Sequence, residues 1–181
     1  MDLQPSKSLD LQDTFKILII GEIGVGKTKL TVKFVKTLIT LGLDKMITII
    51  DLAPNYKGVG LPMDIPSDNI RCLRPITIYA PRLMGTTCEE IWKYAKHNAM
   101  ASEHLIREYI KHPTPILVMN DLTIYLHAGS LSLLYEAIKS SKLFIGNAYY
   151  GLRLKDKCGL WERERTAVEK LIERMDIVCH L

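Results

Sequence analysis

One glycine-rich stretch constrains this chain more than any other feature, because it dictates what stands on either side of it. Residues 21–28 read Gly21-Glu22-Ile23-Gly24-Val25-Gly26-Lys27-Thr28. Before them, residues 15–20 (FKILII) form a short apolar run, β-branched at its end, that reads as a strand buried on both faces. After them, Leu30, Phe34, Val35, Leu38, Ile39 and Leu41 recur on one helical face, and Gly42 suits the stop. Glycines let the chain curl so that several backbone N–H groups point into one concavity. The N-terminus of the following helix adds partial positive charge to it. Strand, curled loop and helix in that order are the first part of a βαβ unit.

The remainder of the chain continues the alternation. Residues 46–50 (MITII), 75–80 (PITIYA), 115–120 (PILVMN) and 143–146 (LFIG) read as further strands, and 177–179 as a closing one. Helices are expected from Thr86 or Thr87, as cap, to about Lys111, over 131–139, and from Leu160 to Met175. The apolar spacing of the second helix slips around 99–102, which predicts a bend or break. Prolines and glycines make 55–69 a long loop, and long loops in compact domains are often functional.

Strand–helix alternation predicts an α/β fold, a three-layer sandwich whose mainly parallel sheet carries helices on both faces. Residues 15–181 are expected to form one domain, and 1–14 a polar tail. Right-handed crossovers put every strand's C-terminal end on one edge. Gly21 onward, Asp51, Arg82, Asp121 and Asn147 all follow strand candidates, so they are expected to gather there, where such sheets bind ligands.

Residues 21–28 match G-x-x-x-x-G-K-[ST] at every fixed position, between a strand and a helix. The chain resembles the P-loop NTPase superfamily, strongly over 15–42 and topologically beyond. The resemblance implies a nucleoside triphosphate held by Gly21, Glu22, Ile23, Gly24, Val25, Gly26, Lys27, Thr28 and Lys29. Lys27 would reach the β- and γ-phosphates and the Thr28 hydroxyl would ligate Mg²⁺. Asp51 and Asp121 each end an apolar run and compete for the carboxylate linked to the metal. Asp121 leans to that role, and Asp51 to that of a γ-phosphate neighbour.

Residues 49–55 (IIDLAPN) also look like the second strand of the SIMIBI division of dimeric switches, which leaves room for a homodimer or a protein partner. Glu22 stands where the partition ATPases of that division carry a lysine, so their trans-acting mechanism does not carry over. Asp121 is followed by Leu122, so the Asp-Glu pair of motor ATPases is missing. The N-K-x-D guanine signature is missing too, which favours ATP over GTP. Asn147 is either a base contact or a capping residue. The implied activity is slow ATP hydrolysis by an ATPase or switch. A small-molecule kinase and a non-catalytic nucleotide-binding module are the alternatives.

Weaker features fill in the rest. Arg82 reads as a phosphate contact, a charge offered to a partner subunit, or a surface arginine paired with a glutamate. Residues 149–157 are basic with two tyrosines and read as a lid, a nucleic-acid patch or a solvated loop. Residues 162–165 (ERER) read as a solvated helix face. His97 and His104 lie seven apart near one face of a helix. The net charge of +4 is interleaved with acids and does not suggest nucleic acid as a partner. Cys72, Cys88, Cys158 and Cys179 lack C-x-x-C spacing and read as reduced thiols. With no apolar run approaching ~20 residues and no signal-peptide pattern at the start, the expected location is cytoplasmic, away from the membrane.

Overall fold

The computed structural model describes residues 14–181. The expected tail at 1–14 lies outside them, apart from Thr14. The fold is α/β, built on a six-stranded, all-parallel sheet. In chain order the elements are β1 (Phe15–Gly21), α1 (Lys27–Thr40), β2 (Ile47–Asp51), β3 (Arg71–Leu73), α2 (Pro81–Met84) and α3 (Cys88–Lys111). There follow β4 (Ile116–Asn120), α4 (Leu122–Leu126), α5 (Leu131–Lys139), β5 (Leu143–Tyr149), α6 (Leu160–Ile172) and β6 (Ile177–His180). The strand order is β3-β2-β4-β5-β1-β6, which places β1 between β5 and β6.

Side chains on a strand alternate between sheet faces, and the apolar runs feed two separate clusters accordingly. Leu18, Ile20, Ile50, Leu117, Met119 and Phe144 pack with Ile106 and Tyr109 of α3, Leu134 of α5 and Val168 of α6. Ile17, Ile19, Ile47, Ile49, Val118 and Ile145 pack with Val35 and the half-buried Leu30, Phe34 and Leu38 of α1. The ends of the helices follow local chemistry. Gly42 takes a φ of 74° after α1, and the N–H groups of Gly42 and Leu43 donate to the carbonyls of Ile39 and Leu38, a pair of hydrogen bonds that ends the helix at a glycine. Thr87 and Glu90 form a reciprocal capping box at the start of α3.

Several expectations are corrected. Residues 75–80 form no strand. Ile76 is fully exposed while only Ile78 and Ala80 turn inward, and the backbone N–H and C=O of Tyr79 are both taken by the side-chain amide of Asn98. The neighbouring strand is the shorter β3, paired with β2. No break interrupts α3 at 99–102, because Asn98, Ala99 and Ser102 are buried on one side of it. β5 runs through Asn147 to Tyr149, and the short helix α4 starts straight after Asp121. Cys88 and Cys158 are not reduced thiols but form a disulfide across 70 residues, their Cα atoms 5.2 Å apart. The N-terminus of α3 meets the segment before α6 there, a proximity with no local signature. Cys72 and Cys179 are free. Among the described residues no helix is long and apolar enough to cross a membrane.

Candidate functional site

The C-terminal edge of the sheet collects most of the polar residues singled out above. Between β1 and α1 the loop passes through Gly24 and Gly26 at φ values of 78° and 102°, where a Cβ would be strained. Lys27, the first residue of α1, turns back over this loop, and its Nζ donates to the carbonyls of Gly21 (3.0 Å) and Glu22 (2.6 Å). Burial lowers the Lys27 pKa, and the charges of Asp121, Glu22 and Glu164 oppose that shift. The loop therefore presents a half-buried cation beside the N–H groups of a helix's first turn, which have no acceptor within the helix.

Beneath the loop a buried network ties α1 to three strand ends. Thr28 Oγ1 donates to Asn120 Oδ1 (3.2 Å), which also accepts from Asn147 Nδ2 (2.7 Å). Asn147 Nδ2 donates in addition to Thr31 Oγ1 (2.9 Å), and Asn147 Oδ1 accepts the N–H of Asp121 (2.9 Å). Asn120 Nδ2 donates to Asp51 Oδ1 (2.7 Å). Both N–H bonds of Asn147 are thus spent inside the protein, which argues against its reading a base. Asp51 is 3% exposed. Its carboxylate also accepts from the N–H groups of Ala53 (3.3 Å) and Met63 (2.8 Å) and pairs with Arg74 (2.9 Å). Asp51, expected beside the metal or the terminal phosphate, is bonded here to groups of the protein itself. It ends β2, which is separated from β1 by both β4 and β5.

Asp121 is placed differently. It sits in the left-handed region at φ 57°, unusual for a residue with a side chain, on the junction between β4 and α4. Thr123 Oγ1 donates to its Oδ1 (2.8 Å). Burial pushes its carboxyl pKa up, against the Thr123 hydrogen bond and the charge of Lys27. Asp121 lines a cavity of about 230 Å³ together with Gly24, Gly26, Lys27, Thr28, Lys29 and Asn147. The rest of the lining includes Tyr149, which pairs with Gly21 in the sheet, and a far wall of Pro54, residues 58–61, Arg82, Leu83, Ile124, His127 and Leu154. The loop at 55–69 thus contributes to the site through its glycine-rich half.

A second polar cluster closes that far wall, and sequence reading missed most of it. Arg82 pairs with Glu164, which is 1% exposed and also lies 2.6 Å from His127 Nε2. Arg82 donates to the Leu154 carbonyl (3.1 Å) and approaches Asp156 (3.9 Å). The reading of 162–165 as a solvated face fails at Glu164, whose position on α6 is turned toward Ala167 and Leu171 and away from water. The available signal was that position 164 falls on the same helical face as Leu160, Ala167, Val168 and Leu171. His127 Nδ1 is buried with no hydrogen-bond partner among the described residues. Lys27 and Arg82 approach the ring of Tyr149, at 5.9 and 5.7 Å from its centre.

Glu22 and the basic segment are joined. The Glu22 carboxylate accepts the N–H groups of Ile23 (2.9 Å), Leu152 (2.9 Å) and Arg153 (3.2 Å). Desolvation works to raise its pKa, but these bonds outweigh it and hold the group at about 2. The segment is further tied by Trp161 Nε1 to the Gly151 carbonyl, by Asp156 to the N–H groups of Cys158 and Trp161, and by the disulfide. Lys155 and Arg165 lie over the Trp161 ring. His97 and His104 are exposed on α3, and among the described residues no three His, Cys, Asp or Glu side chains converge to hold a metal.

No family model matches the chain, and no curated protein matches it. Among solved structures it is similar to the Pif1 helicase from Candida albicans, at 14% identity and a TM-score of 0.34. That match covers 100% of this chain and 40% of the helicase, so the chain spans less than half of the structure it matches. A likeness of this size transfers no activity.

Proposed function

We propose that the chain binds a nucleoside triphosphate with Mg²⁺, ATP in preference, and hydrolyses it slowly as an ATPase or switch of the P-loop NTPase fold, a three-layer sandwich over residues 15–181. One observation carries this reading. Lys27, Thr28, Gly24 and Gly26 of a fully matching phosphate-loop sequence line the same cavity as Asp121. A polyphosphate would lie against the loop N–H groups and draw Lys27 from the Gly21 and Glu22 carbonyls toward its β- and γ-oxygens. The donor set suits a hard cation. Thr28 and Asp121 offer oxygen, and Mg²⁺ is ordinarily held by few protein ligands plus substrate phosphates. Bound there, it would neutralise charge on the transferring phosphoryl group. From the same position Asp121 would help to order the attacking water. With a single carboxyl for this task, turnover is expected to be slow. The SIMIBI likeness loses its support where Asp51 is walled off. The cytoplasmic location belongs to the same proposal, and the disulfide weighs against it, since reducing compartments keep such thiols open.

Calorimetric titration with ATP and Mg²⁺ tests the reading. Wild-type protein binds, and Lys27→Ala weakens binding about 100-fold or more, since two charge-assisted contacts at ~1.5 kcal/mol or above are lost. Unchanged affinity in Lys27→Ala sinks the assignment.

A further inference from the structure

The amide of Asn120 has two chemically different ends, and its surroundings decide which way they point. On one side stands Asp51, a carboxylate that only accepts. Asp51 is fixed as an acceptor by the Met63 N–H and the Arg74 guanidinium. Asn120 must therefore present Nδ2 to it, at 2.7 Å. The opposite end, Oδ1, then faces two donors, Thr28 Oγ1 and Asn147 Nδ2. Turning the amide over would set an oxygen against a carboxylate and an NH₂ group against Asn147 Nδ2. The network thus permits one orientation.

A threonine hydroxyl has one proton and two lone pairs. With Asn120 Oδ1 as its acceptor, the proton of Thr28 is directed inward to the strand ends. Both lone pairs of Thr28 Oγ1 are left for the cavity that Thr28 lines. We propose that Asn120 is a positioning residue for a divalent cation: it fixes the Thr28 proton so that the hydroxyl oxygen meets the metal as a ligand and not as a donor. The proposal rests on the reading of the loop as a Mg²⁺–triphosphate site. It adds that orientation is achieved by a neutral amide. A carboxylate in the same place would orient the hydroxyl and also attract the cation's waters. Asn120 supplies the first effect without the second, and the nearby charge of Asp51 is neutralised by Arg74. Protein charge beside the cation is then left to Asp121, which lines the same cavity.

The experiment is a Mg²⁺ titration of a non-hydrolysable ATP analogue, followed by calorimetry, with a parallel measurement in EDTA. Orienting partners of metal ligands are typically worth 10–100-fold in metal affinity. Asn120→Ala is expected to raise the Mg²⁺ concentration at half-saturation about 10-fold, while the analogue's affinity in EDTA stays unchanged. Asn120→Asp is the rescue: the new carboxyl and Asp51 share one proton, as close carboxyl pairs do, and an oxygen acceptor returns to Thr28. Its Mg²⁺ midpoint is expected at or below that of the wild type. A folded Asn120→Ala protein with an unshifted midpoint overturns the proposal, and so does an affinity loss equal with and without Mg²⁺, which marks a merely structural role. Should Asn120→Ala not fold, Asn120→Asp decides, and a midpoint above the wild-type value overturns the idea. Wild-type protein that binds no analogue at all refutes the nucleotide reading itself.

Discussion

Two polar clusters border the same cavity and are built on opposite terms. Under the phosphate loop, Thr28, Thr31, Asn120 and Asn147 are hydroxyls and amides, with charge confined to Asp51 and Arg74 at the outer end. On the far wall, Arg82, Glu164, His127 and Asp156 include three groups of full charge in a nearly dry place. The first is anchored by ends of parallel strands whose register is fixed by the ladder, β2 to β4 and β4 to β5. The second is assembled from α2, α4, α6 and the segment before α6. A sheet edge can aim neutral groups because their positions are already set. A wall of short helices and loops lacks that stiffness, and a buried ion pair there binds its pieces to one arrangement.

This contrast can be broken by substitution. The largest effect is expected on the charged side. Arg82→Met leaves Glu164 buried without its guanidinium, a loss of about 3–5 kcal/mol of stability. Urea unfolding measures it, and a loss below about 1 kcal/mol would mean that the cluster is a bystander. On the neutral side, Asn147→Ala removes two donors and leaves the Asp121 N–H without its acceptor, so about 1–3 kcal/mol is expected by the same method. A cost above that of Arg82→Met would reverse the ranking. The smallest effect lies at Glu22, where the loop meets the basic segment. Its folded pKa is depressed from 4.5 to about 2. The stability it contributes is therefore present above pH 4.5 and is lost as the pH falls toward 2. The amide resonances of Leu152 and Arg153 should titrate with a midpoint near 2, and a midpoint near 4.5 would show that the contact does not form.

What could be read in advance follows the same division. The runs at 17–20, 47–50 and 116–120 are doubly buried strands with few other options, and the loop at 21–28 states its own conformation through Gly24 and Gly26. Asn120 escaped notice because it precedes an aspartate that looked more consequential, yet it is the residue that Thr28 touches. Asp51 looked available because sequence says nothing of Arg74 or the Met63 N–H arriving from outside the strand. Arg82 and Glu164 are 82 residues apart, and no local period announces such a pair. Residues 75–80 had the composition of a strand, but nothing lay across from Ile76 for it to cover.

The bond between Cys88 and Cys158 divides the chain into a covalent ring and two arms. The ring holds α3, β4, α4, α5 and β5, while the phosphate loop and β1 belong to one arm and α6 and β6 to the other. Yet β1 lies in the sheet between β5 of the ring and β6 of the opposite arm. The glycine-rich loop is thus seated between a closed circuit and the opposite arm. A single break in the backbone of the ring would open the circuit without detaching either arm.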